Sequence, residues 1–196
     1  MFPKRVFYLL FIFLIFTLTE CSKNSPTSPD NLKELWPLKV GNFWKYVKST
    51  NLDSIFWKLE VIGIKKIQEE EVQLVLWENL YENYRDTILY RSEDEGIYGY
   101  EKDKKYLLFK YPVKTGDKWF FVEEGEVKCI STNTQIQTPA GKFSCIVYQF
   151  SRKDEDNTLK IYLNIYMHPG VGWIASEIID DTQPTKWFYL KNYHLN

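Results

Sequence analysis

The chain has 196 residues, 25 Lys and Arg against 26 Asp and Glu, and a net charge of −1 at pH 7. Both signs are scattered along it with no basic stripe, which argues against nucleic acid as a partner, because phosphate binding needs a positive field. Aromatic residues make up 17% of the sequence, more than a plain core needs, so some rings are expected to line a groove or cavity.

The first segment is a leader and is set apart from the fold. Lys4 and Arg5 precede Val6–Leu18, an apolar run broken by one Thr. It falls short of the ~20 residues of a spanning helix and fits the apolar region of a secretory signal peptide. The run ends in "LTEC", Leu18 to Cys21, which resembles a bacterial lipobox. That resemblance implies residues 1–20 as signal peptide, cleavage before Cys21, and a lipid on the Cys21 thiol. Glu20 stands where the lipobox carries a small residue, and ordinary secretion with cleavage nearby is the alternative. Ser rather than Asp at position 22 implies, by the same resemblance, the outer membrane of a two-membrane cell. Residues 21–29 are polar and proline-rich, cannot bury enough surface to fold, and read as a tether of about 25 Å reach.

Residues 30–196 are expected to form one domain. "SPDNLKEL", Ser28 to Leu35, offers an N-cap Ser, Pro29 at the first helical position and Asp30 in the first turn. It predicts one short helix, stopped by Pro37. After residue 40 nearly every segment reads as strand. Ile55, Trp57, Leu59 and Val61 alternate with Lys58 and Glu60. Val72, Leu74 and Leu76 alternate with Gln73, Val75 and Trp77. Leu159, Ile161, Leu163, Ile165 and Met167 form one face of a long strand opposite Lys160, Tyr162, Asn164, Tyr166 and His168. Polar clusters separate these runs at Asn51–Asp53, Gln68–Glu71, Ser92–Gly96, Lys102–Lys104, Thr138–Lys142, Asp154–Asn157 and Ile179–Asp181. About ten to twelve short strands result, the signature of an all-β protein. Strands joined by short turns pair antiparallel, and so wide a sheet curls. The expectation is a strongly curved antiparallel sheet, a barrel or half-barrel, with a β-sandwich as the alternative.

One stretch occurs twice. "PLKVGNFWKY", from Pro37, and "PVKTGDKWFF", from Pro112, match as Pro, aliphatic, Lys, any, Gly, Asn or Asp, any, Trp, any, aromatic. Pro keeps the incoming chain extended, Gly41 or Gly116 supplies the positive φ of a tight turn, and Trp44 with Tyr46, or Trp119 with Phe121, puts two rings on one face of the next strand. The unit therefore reads as a turn that starts a strand and pins it to the core. "TPAGK" with Gly141, and "GVGW" with Gly172 and Trp173, are looser versions. A ring platform of the kind that binds carbohydrate would instead need these aromatics in a row facing solvent.

The start at Pro37–Tyr46, the "TPAGKF" turn and the "GVGW" turn together resemble those of a group of uncharacterised bacterial envelope lipoproteins. The resemblance implies an antiparallel β domain on a lipid anchor and brings no activity with it.

Catalytic constellations are wanting. The two histidines, His168 and His194, lie at a strand end and near the C-terminus, with no nucleophile in a recognisable context. No zinc motif, calcium loop or phosphate loop is present, so no metal or cofactor is expected. With Cys21 lipidated, Cys129 and Cys145 remain, either bridged in an oxidising envelope or as two buried thiols. The sequence thus describes an extracytoplasmic lipoprotein without catalytic activity, attached to the membrane by its lipid. Its β domain either binds an apolar or amphiphilic ligand, or fills its interior and binds an envelope protein or glycan.

Overall fold

The structure, a computed structural model, describes residues 34–101, 104–122 and 125–196. The expected signal peptide, Cys21, the expected tether and residues 28–33 of the expected helix lie outside these. Leu35 and Trp36 form a bend, and there is no helix among the described residues.

Twelve strands follow one another: β1 (Phe43–Lys48), β2 (Asn51–Ile67), β3 (Glu70–Asn79), β4 (Tyr84–Glu93), β5 (Gly96–Glu101), β6 (Lys104–Lys110), β7 (Lys118–Val122), β8 (Gly125–Thr138), β9 (Gly141–Lys153), β10 (Leu159–His168), β11 (Gly172–Asp180) and β12 (Gln183–His194). They form one antiparallel sheet in the order β6-β5-β4-β3-β2-β1-β12-β11-β10-β9-β8-β7. The domain is thus two six-stranded meanders, β1–β6 and β7–β12, each opened by one copy of the repeated stretch. The meanders join where β1 pairs with β12, Trp44 opposite Tyr193 and Val47 opposite Tyr189.

The sheet curls until its edges β6 and β7 meet, giving a nearly closed barrel. No ladder joins these edges among the described residues; side chains close the seam. The Trp119 indole N–H donates to the Leu107 carbonyl at 3.1 Å, and the Tyr148 hydroxyl donates to the Lys110 carbonyl at 2.8 Å. Lys110 and Asp117 pair at 3.4 Å, and the Tyr106 and Phe121 rings lie 6.4 Å apart.

The barrel interior holds the core. Trp36, Trp44, Tyr46, Tyr148 and Phe109 are fully buried there with Val61, Ile97, Met167 and Leu190. A smaller cluster of Ile67, Val72 and Tyr100 sits apart from it.

Local departures from simple alternation trace to bulges. In β10 the register slips between Ile161 and Leu163. The extra residue puts the side chains before it on the face opposite to those after it. Leu159 and Ile161 are therefore exposed, while Ile165 and Met167 are buried as expected. Asn164 and Tyr166, expected on the wet face, are also buried, Asn164 donating to Glu177 at 2.7 Å and Tyr166 packing on Trp187 at 5.4 Å. The first turn also moves: strand β2 already begins at Asn51, and the reversal falls on Ser49–Thr50.

Candidate functional site

The two copies of the repeat adopt one local structure. In the first, Asn42 N donates to the Lys39 carbonyl at 3.0 Å, Gly41 N to Val61 O at 2.8 Å, and Val61 N to Asn42 O at 2.9 Å. In the second, Asp117 N donates to Lys114 O at 3.0 Å, Gly116 N to Cys129 O at 2.8 Å, and Cys129 N to Asp117 O at 2.9 Å. Gly41 and Gly116 have φ of 90° and 95°, a region side chains avoid. Each copy is a turn locked onto the neighbouring strand.

The first copy also meets the "GVGW" turn, far away in sequence. The Trp44 indole donates to Val171 O at 2.7 Å and the Tyr46 hydroxyl to Trp173 O at 2.9 Å. Gly170 N donates to Glu34 O at 2.7 Å. Trp36 packs so closely on Gly172 that a Cβ there would lie 2.1 Å from its Cδ1. Burial raises the Tyr46 phenol well above its ordinary pKa, with Tyr90 adding to the shift. Gly141, at φ 138°, opens β9 after a turn in which the Thr138 hydroxyl donates to Gly141 O at 3.2 Å. Trp44 and Tyr46 are wholly buried, and Trp119, Phe121 and Trp173 half-buried, so the motif rings form no solvent-facing row.

This docking brings Trp173 to one wall of an open-mouthed cavity of about 200 Å³, lined by Trp57, Leu59, Trp77, Ile88, Tyr90 and Trp173. Trp57 and Leu59 share a face of β2, and Leu59 pairs with Trp77 on β3. Ile88, opposite Val75, shares a face of β4 with Tyr90. Trp173 comes from β11 across the barrel, its indole N–H held by Ala175 O at 3.0 Å. The Trp57 and Trp173 rings meet at 6.3 Å and 58°, an aromatic corner. Trp36 backs the wall, 5.2 Å from Tyr90 and 6.4 Å from Trp173. Tyr90 is buried as a residue, and its hydroxyl makes no hydrogen bond to any described residue. Burial, first, and the nearby Tyr106 push its pKa far above the ordinary phenol.

A second, wider pocket of about 570 Å³ opens between the β1–β2 and β3–β4 turns and β12. Its walls include Lys48, Lys186, Phe56, Tyr81, Glu82 and Phe188. Phe188 stacks on Trp57 at 4.2 Å and touches Phe56 at 5.0 Å, so the Trp57–Phe188 stack stands between this pocket and the first cavity. Tyr81 stacks on Phe56 at 5.8 Å and is 80% exposed. Lys48 forms no ion pair with any described residue, whereas Lys186 lies near Asp180 and Glu82 accepts from Asn79 at 3.1 Å. This pocket lies at the barrel end opposite Glu34, where the described chain begins.

The remaining candidates fall elsewhere. Cys129 and Cys145 are both free and buried, so the bridge considered between them is not made. Cys129 lies opposite Tyr148 and Cys145 opposite Thr134, and this register sets the two apart along adjoining strands. Burial raises both thiols, Cys145 to about 12. His168 Nδ1 lies 2.7 Å from Ser144 O, and His194 Nε2 lies 3.0 Å from Asn196 Oδ1. Among the described residues no group of three His, Cys, Asp or Glu is placed to hold a metal ion. The sequence had named Trp57 and Trp77 only as strand residues and had not singled out Tyr90. Nothing local marks them: β2, β3 and β4 are neighbours in one meander, but β11 joins them only when the sheet curls.

No family model and no curated protein matches the chain. Two solved structures resemble it. One is described as a "putative exported protein with YmcC-like fold" from Bacteroides fragilis, 11% identical, with a TM-score of 0.52 over 83% of this chain and 100% of that one. The other is a "putative lipoprotein" from Parabacteroides distasonis, 12% identical, with a TM-score of 0.45 over 84% of this chain and 100% of that one. The first likeness is one of fold.

Proposed function

We propose that the chain is an extracytoplasmic lipoprotein, anchored through Cys21 in the outer membrane, whose β domain binds a small amphiphilic ligand and catalyses no reaction. The anchor rests on the lipobox resemblance of "LTEC" and on the tether behind it. The exported and lipoprotein designations of the two structural neighbours agree with it. The binding reading is carried by one observation: an aromatic-walled cavity adjoins, across the Trp57–Phe188 stack, a wider pocket that bears lysines. Sites for small molecules are concave and largely apolar, with a few placed polar groups. The core fills most of the barrel, so the ligand is compact rather than a long-chain lipid. The filled interior also favours the second reading, an interaction lipoprotein that presents its exposed ring Tyr81 to an envelope partner.

Two experiments test this. Cys21→Ala is expected to move the protein from the membrane fraction to the soluble fraction and to abolish labelling by a fatty-acid analogue. Retention in the membrane would refute the anchor. Native mass spectrometry of the purified full chain is expected to show a bound small molecule released on unfolding. A clean apo mass, with no change in tryptophan fluorescence across a panel of amphiphiles, would refute binding.

A further inference from the structure

We propose that the aromatic-walled cavity is a cage for a quaternary ammonium group. The inference rests on the binding reading above and names the chemical class of its ligand. Four of the six lining side chains are aromatic, Trp57, Trp77, Tyr90 and Trp173, and the other two are aliphatic. No Lys or Arg lines the cavity, so an anion finds no counter-charge. No carboxylate lines it either. A primary ammonium brings three N–H donors that must be satisfied, and the side chains of the wall offer one free oxygen suited to them, that of Tyr90.

A quaternary ammonium has no N–H at all. Its charge is spread over methyl groups that pack against apolar walls, and the faces of indole rings attract it. Trp is the strongest such ring, and the cavity has three. At about 200 Å³ the cavity suits a compact head group; it is smaller than the ~300–1,000 Å³ of ordinary drug-sized sites. A neutral apolar group would bury as well, but aliphatic walls would serve it equally and the cage of rings would add nothing. The Tyr90 hydroxyl, the one oxygen that the side chains of the wall offer, makes no hydrogen bond to a described residue and is free to bond a polar substituent beside the cation.

The test is calorimetric titration of the full chain with choline and with its neutral carbon isostere, 3,3-dimethylbutan-1-ol. The two have the same shape and hydroxyl and differ in charge. Choline is expected to bind at least about tenfold more tightly, about 1.4 kcal/mol. Trp77→Leu is expected to remove most of that preference, and Trp77→Phe, which keeps a ring, to restore part of it. Trp77 forms no hydrogen bond among the described residues, and circular dichroism with the thermal midpoint confirms that each variant folds. Should a variant fail to fold, the choline-to-isostere ratio of the unaltered chain still decides. Equal affinity for the two, or preference for the neutral isostere, overturns the cage and leaves the binding reading standing. No binding of either, with none of any amphiphile in the panel, overturns both.

Discussion

Gly172→Ala and Gly116→Ala form a matched pair. The two glycines have almost the same backbone conformation, φ of 96° and 95°. An alanine at either must enter the left-handed region, at about 1–2 kcal/mol. Their surroundings differ. A Cβ at Gly116 meets nothing within 4 Å, whereas one at Gly172 lies 2.1 Å from Trp36 Cδ1 and 2.7 Å from its Nε1. Trp36 is fully buried among Trp44, Tyr90 and Trp173, so it cannot swing away freely, and overpacking adds about 1–3 kcal/mol. Gly116→Ala should therefore cost about 1–2 kcal/mol and Gly172→Ala about 2–5 kcal/mol. Urea titration followed by tryptophan fluorescence reads both, as a fall in midpoint at constant slope. Equal losses at the two positions, or a neutral Gly172→Ala, would refute the claim that Trp36 packs tightly on Gly172 at the start of β11.

Other consequences follow from the same contacts. Trp44→Phe keeps a ring but leaves the Val171 carbonyl without its indole donor, and should destabilise by about 1–3 kcal/mol in the same titration; a neutral result would mean that the 2.7 Å hydrogen bond is dispensable. The Tyr100 hydroxyl, first, with Arg91 and Lys105 after it, holds the Glu70 carboxyl below the ordinary glutamate range against the opposing effect of burial. That contribution to stability is present above the ordinary glutamate pKa and is lost as pH falls through the lowered one. Tyr100→Phe should shift the Glu70 titration upward in a carboxyl NMR experiment, and an unmoved midpoint would contradict the assignment. In a Cys21→Ser chain, no thiol should react with a disulfide reagent at pH 8 in the native state and two should react on unfolding, since both thiols are buried with raised pKa values. Silence after unfolding would show a bridge.

The strand pattern was legible because a period of two survives in most segments: Trp57, Leu59 and Val61 are buried in alternation as read. It failed where the ladder slips. Leu159 and Ile161 read as core from their apolar character, and the bulge before Leu163 carries them into solvent. A bulge leaves no mark in a single sequence, since it is a property of the pair of strands. The repeat was legible down to the role of its glycines. Its docking partner was not, because the union of Trp44 with Val171 depends on which strands become neighbours. The cavity is less legible still. Its rings come from β2, β3, β4 and β11, each unremarkable in its own strand.

The sheet order has a consequence for connectivity. Read from β7 to β12 and on from β1 to β6, it is a plain meander in which every ladder joins neighbours. The chain begins that meander in the middle, so β1 must wait for β12 across almost the whole domain, a pairing of high contact order that slows folding. Asn196 already touches the turn that opens β1, its side chain donating to Val40 O at 3.0 Å. A circular permutant that joins Asn196 to that turn and is cut in the Tyr111–Asp117 loop would turn the one distant ladder into a local hairpin, and should reach the same barrel faster.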